Sequence, residues 1–163
     1  MARNTTFSFE FYPPQTQEGA TKLMQTAKEL NVCSPEFFSV TFGAGGSTKE
    51  KTLDTVLDLK KSGFNATPHI SCISSSKAEI KELLDKYKSN KINHLVALRG
   101  DNPSGSINFG ELNYANELVN FIKSEMGDSF KIDVGAYPEV HPESESAKQD
   151  FINFKNKVEA GAD

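Results

Sequence analysis

A chain of 163 residues with a hydrophobic content of 37% holds enough apolar material for one folded domain of ordinary size. Its formal net charge of −4, with lysines and arginines scattered instead of gathered into a stripe, argues against a nucleic acid or other polyanion as partner. No apolar run approaches the roughly 18 residues that cross a bilayer, and no signal-peptide core follows Met1, so no membrane partner is expected and a cytoplasmic location is the default.

The first predicted element is a strand over about 5 to 11, in which Phe7, Phe9 and Phe11 alternate with Ser8 and Glu10. Alternation places the three rings on one face and aims Glu10 at whatever the other face encloses, which makes it a candidate buried acid. On spacing alone, a solvated edge residue is the commoner fate of such a Glu. Further strands are expected at about 36 to 41, 65 to 70, 94 to 99 and 131 to 137. Helical spacing fills the intervals: Leu23, Ala27 and Leu30 in 19 to 31; Leu53, Val56 and Leu57 in 48 to 62; Ile80, Leu83, Leu84 and Tyr87 in 76 to 89. Leu118, Val119 and Ile122 mark 112 to 126, and Ala147, Phe151, Phe154 and Val158 mark 146 to 160. These stripes are expected to dock on a core. Ser47 or Thr48 and Ser76 offer capping hydroxyls, and Gly63 and Gly127 stand where helices end.

This alternation predicts an α/β fold with a parallel sheet, either an open doubly wound sheet or a (β/α)8 barrel. A barrel takes roughly 250 residues. The chain stops at Asp163, where a helix should hand over to a sixth strand, so on the barrel reading it is expected to be truncated. The loop from Gly100 to Glu111 reads as functional, not as a domain linker.

Each predicted strand ends in a chemically usable residue: Glu10; Thr41 followed by the glycine-rich turn Gly43 to Ser47; His69; Arg99, Gly100 and Asp101; Tyr137 to His141. Singly, each has a plain structural reading. The turn does not match GxGxxG, His69 alone is more often a satisfied core imidazole, and Arg99 and Asp101 can pair with each other. Together, an acid, a guanidinium, an imidazole, a tyrosine and a glycine turn on one rim point to a ligand with an anionic part and a flat ring. Cys33 and Cys72 lack CxxC spacing and are expected as reduced thiols, and no metal site is expected.

The segments SFEFYPP (8 to 14), SVTFGAGG (39 to 46), PHISC (68 to 72), ALRGD (97 to 101) and AYPEVHPE (136 to 143), in this order, resemble the methylenetetrahydrofolate reductase family across essentially the whole chain. The resemblance implies that residues 1 to 163 form a single domain, the first five βα units of a flavin-binding (β/α)8 TIM barrel. It implies noncovalent FAD, NADH or NADPH as co-substrate, and reduction of 5,10-methylenetetrahydrofolate to 5-methyltetrahydrofolate. By the same resemblance Glu10 is the catalytic acid, Asp101 acts with it at the folate and the flavin, and the full-length protein is a homo-oligomer. Implied FAD contacts are Thr41, Phe42, Ala44, His69, Arg99, Gly100, Asp101, Tyr114, Tyr137, His141, Asp150, Asn153 and Lys157. Asn156 departs from an Arg common in bacterial relatives, the family's folate-binding Gln falls beyond Asp163, and the PEVHPE wording favours NADH. Desolvation beside the flavin is expected to keep Glu10 protonated. Two other readings stand beside this one: an incomplete barrel that binds ligand weakly or not at all, and a lyase or aldolase, against which the lack of a Schiff-base lysine at a strand end argues.

Overall fold

Strand and helix alternate as the periodicity requires in a computed structural model that describes residues 5–42, 49–101 and 110–163. The order is β1 (Phe9–Phe11), α1 (Gln17–Leu30), β2 (Phe38–Val40), α2 (Lys49–Lys61), β3 (Ala66–Ser71), α3 (Lys77–Ser89), β4 (His94–Leu98), α4 (Ala115–Met126), β5 (Lys131–Val134) and α5 (Ala147–Glu159). Among the described residues the strands run in the sequential order β1-β2-β3-β4-β5, the pattern of consecutive βα units. The chain divides into two compact units, Met1–His69 and Ile70–Asp163.

In the first unit β1 pairs in parallel with β2 (Phe9 with Phe38, Glu10 with Ser39, Phe11 with Val40), and β2 with the start of β3 (Ser39 with Thr67). Phe38 is almost wholly buried, stacked on Phe9 and Phe11 at 6.1 and 5.4 Å and meeting the edge of Phe64 at 5.6 Å. Ala27 of α1 and Val56 and Leu59 of α2 are also buried. Because strand residues alternate, the other face carries Glu10, Ser39, Thr41, Thr67 and His69. A polar face thus runs to the strand ends.

The second unit pairs β4 with β5, Leu95 opposite Ile132 and Val96 opposite Asp133. Its core joins Leu95 and Ala97 of β4 to Ile80, Leu84 and Tyr87 of α3, Leu118, Val119 and Ile122 of α4, and Ile132 of β5. Burial of each large side chain contributes about 1.5–3 kcal/mol, which is what holds helices with no strong intrinsic preference in place.

The ends of the helices follow local chemistry. Thr16 accepts from the Gly19 amide at 3.1 Å, Ser76 and Glu79 form a reciprocal capping box, and Ser146 accepts from the Gln149 amide at 3.2 Å. Ser47 and Thr48 lie outside the described residues. Helix α4 starts at Ala115, three residues later than expected from 112, because Tyr114 is extended and the Glu117 carboxylate turns back to the Asn113 amide at 2.7 Å.

One expected docking stripe is not docked. Helix α5 forms, but Phe151, Phe154 and Val158 remain 67%, 37% and 48% exposed, and none of its residues is buried. Helical spacing fixes which side chains share a face; it carries no information on what covers that face. Among the described residues no helix is long and apolar enough to cross a membrane.

Candidate functional site

Parallel pairing of β1, β2 and β3 brings Glu10 beside His69, with 3.4 Å between Oε2 and Nε2. The expectation that Glu10 is a buried acid is corrected here: its side chain is 52% exposed, whereas that of His69 is 7% exposed. Register aims the carboxylate at the polar face but supplies no cover for it. Burial instead acts on the imidazole, pushing His69 down to about 4, so the ring is neutral at neutral pH and its contact with Glu10 is dipolar, not an ion pair.

Thr41, just past β2, donates its amide to the Phe11 carbonyl at 3.0 Å, and its own carbonyl accepts from Thr52 Oγ1 at 2.8 Å. Its buried hydroxyl finds no hydrogen-bond partner among the described residues. Phe42 follows, half-buried. Ala44 and the glycine-rich turn lie outside the described residues.

In the second unit the end of β4 makes a tight turn. Gly100 has φ +87°, and a Cβ there would stand 2.1 Å from Ser71 Oγ, which donates to the Arg99 carbonyl at 2.8 Å. Arg99 does not pair with Asp101. Its Nε donates to the Gly100 carbonyl at 3.1 Å and its Nη2 meets Glu143 Oε2 at 2.8 Å. Asp101 is exposed and stands at the edge of the described segment.

Arg99, Tyr114, His141, Asp150, Asn153 and Lys157, all implied contacts from the sequence, line one cleft of about 350 Å³. The backbone after β5 shapes it. The His141 amide donates to Asp150 Oδ2 at 3.2 Å, and His141 Nδ1 accepts from the Glu143 amide at 3.1 Å, which leaves Nε2 to carry the proton of a neutral ring. Tyr137 packs edge-on against His141 at 4.5 Å without lining the cleft itself. Lys157 Nζ donates to the Gly135 carbonyl at 2.6 Å; burial lowers its pKa and the Asp150 carboxylate opposes that shift.

Glu143 and Asn116 also line the cleft and were not singled out from the sequence. Glu143 lies in the quoted AYPEVHPE segment, but no spacing rule links an acid there to a guanidinium at the end of β4. The structure therefore unites Glu10 with His69, and separately six cleft residues around Arg99 and Lys157. Arg99 and Lys157 share the cleft with the carboxylates of Glu143 and Asp150, so with the phenol hydroxyl and side-chain amides the lining suits a hydroxyl-bearing ligand whose anionic group competes with Glu143 for Arg99. Among the described residues no three His, Cys, Asp or Glu side chains are placed to hold a metal ion.

The family model for methylenetetrahydrofolate reductase matches residues 1–163. Over 156 residues the chain is 44% identical to the 5,10-methylenetetrahydrofolate reductases of Salmonella typhimurium and Escherichia coli, covering 95% of this chain and 51% of each relative. It is 38% identical over 173 residues to methylenetetrahydrofolate reductase (NADH) 1 of Arabidopsis thaliana, covering 98% of this chain and 29% of that protein. The chain thus spans about half the length of the bacterial relatives it matches. With a match that runs from its first residue to its last, and a parallel sheet built of successive βα units, this chain belongs to the methylenetetrahydrofolate reductase family.

Proposed function

We propose that residues 1–163 are the N-terminal part of one flavin-binding (β/α)8 barrel domain that reduces 5,10-methylenetetrahydrofolate to 5-methyltetrahydrofolate, with FAD as cofactor and NADH, or NADPH, as co-substrate. The observation that carries this reading is the cleft that gathers Arg99, Tyr114, His141, Asp150, Asn153 and Lys157. Its donor set fits FAD: Lys157 and Arg99 answer the charge of a diphosphate, while Asn153, Tyr114 and Asp150 offer partners for ribose and ribityl hydroxyls. When bound, the flavin supplies the electronics for accepting a hydride from nicotinamide and passing it to the folate carbon.

The remaining chemistry falls to side chains. Opening the five-membered ring of the folate requires a proton at the departing amine nitrogen, and Glu10 is the group assigned to deliver it. His69, kept neutral by burial, stands 3.4 Å from the carboxyl on the same polar face. Asp101 is assigned to the pterin, as acceptor for its ring N–H groups.

Glu10→Gln in the full FAD-loaded chain is expected to slow the folate half-reaction by about 10²–10⁴-fold while flavin reduction by NADH proceeds at an unchanged rate. Stopped-flow absorbance reads the two halves apart. Equal loss in both removes Glu10 from the role of acid.

A further inference from the structure

The charged side chains that line the cleft of the second unit formally cancel, Arg99 and Lys157 against Glu143 and Asp150. The two carboxylates are held in different ways. Asp150 is committed to the backbone: in the first turn of α5 its Oδ2 accepts from the His141 amide at 3.2 Å. Glu143 is anchored through its main chain instead, its amide donating to His141 Nδ1 at 3.1 Å and the following amide, of Ser144, donating to the His141 carbonyl at 2.9 Å. Its side chain is 61% exposed and ends on Arg99, with Oε2 2.8 Å from Nη2.

An ion pair this open to water is weak. The guanidinium is held more firmly from the other side, because Arg99 Nε donates to the Gly100 carbonyl at 3.1 Å and the Arg99 carbonyl accepts from Ser71 Oγ at 2.8 Å. Arg99 is thus a fixed fork that carries a loosely attached anion. Phosphate oxygens take the same place on a guanidinium that carboxylate oxygens take.

We propose that Glu143 is a built-in stand-in for the ligand's phosphate: its Oε2 marks the position on Arg99 Nη2 that a diphosphate oxygen of FAD takes, and the carboxylate swings out to water when that oxygen arrives. The proposal rests on the flavin reading above. The turn through His141 and Ser144 tethers the carboxylate beside Arg99, so a small free anion meets a competitor at high effective concentration. A ligand that also reaches Tyr114, Asn153 and Lys157 outweighs that competitor. Glu143 therefore limits the affinity for FAD and makes small anions poor ligands of the cleft.

Fluorescence titration of FAD against the full chain reads the direction of the effect. Glu143→Gln keeps the length of the side chain and removes its charge; it is expected to tighten FAD binding about fivefold at low ionic strength, and by less than about twofold in roughly 0.5 M salt, where charges are screened. Riboflavin has the same ring system and no phosphate, so its affinity should change by less than about twofold. Glu143→Asp retains the charge and should show no gain. Glu143→Ala is the second charge-free variant if glutamine disturbs the turn. Unchanged or weakened FAD binding in the folded charge-free variants overturns the proposal, makes Glu143 a support for Arg99, and leaves the flavin reading in place. An equal gain for riboflavin, or an equal gain in Glu143→Asp, overturns it as well. Failure of the unsubstituted and the charge-free chains alike to bind FAD overturns the flavin reading and the proposal with it.

Discussion

Replacing Gly100 with alanine is expected to destabilise the chain by about 2–4 kcal/mol, the sum of a left-handed backbone penalty and overpacking. The backbone part comes from φ +87°, which a residue with a Cβ adopts only under strain. The packing part comes from Ser71 Oγ at 2.1 Å and Ile73 Cγ2 at 2.8 Å from the added carbon. Ser71 can yield only by giving up its bond to the Arg99 carbonyl, so the strain is passed to the arginine of the cleft. Gly63 provides the control. It has nearly the same φ, +86°, but an added Cβ meets nothing within 4 Å, so Gly63→Ala is expected to cost about 1 kcal/mol. Urea unfolding of both variants separates the two contributions. Equal destabilisation would mean that the Gly100 turn is not close-packed against Ser71.

Acidification is the second large effect. The pKa of His69 lies near 4 in the folded chain against 6.5 for the free side chain, because burial penalises the charged ring. Between these values the unfolded chain binds the proton that the folded chain refuses, so stability rises with pH there. The contribution is complete above about pH 6.5 and is lost as the pH falls from there through 4, amounting to about 3 kcal/mol. Glu10 is the titratable group facing the ring, and His69→Gln leaves it a polar neighbour. Plots of unfolding free energy against pH should therefore diverge, the unsubstituted chain falling more steeply by up to about 1.4 kcal/mol per pH unit. Parallel plots over pH 4 to 6.5 would show that the imidazole is not held neutral by burial.

Much of the fold was legible in the residue pattern because two periodicities, near 2 and near 3.6, alternate without interruption. Phe9 and Phe11 stack on Phe38 as their spacing requires, and the stripe of Ile80, Leu84 and Tyr87 enters a core. Strand lengths were overestimated, as in 131 to 137 against Lys131–Val134, because apolar character continues past the point where the pairing of β4 and β5 stops. What covers a face was not legible. Parity aims Glu10 correctly yet leaves it half-exposed, and the apolar face of α5 is well formed yet uncovered.

Partners distant in sequence were the other loss. Arg99 could be read as pairing with Asp101 nearby, whereas it meets Glu143, which reaches it only through the turn after β5. Thr52 left no trace at all, since its partner is a backbone carbonyl and every residue has one. By contrast the cleft set of Tyr114, His141, Asp150, Asn153 and Lys157 came from the family resemblance, and the structure gathers all five with Arg99 around one volume.

The most direct test of the account is an absorption and fluorescence titration of FAD with the purified 163-residue chain. It predicts saturable one-to-one binding with a perturbed flavin spectrum and quenched emission, weakened by added salt because Arg99 and Lys157 answer a diphosphate. A flavin spectrum that stays that of the free cofactor through an excess of folded protein would contradict it.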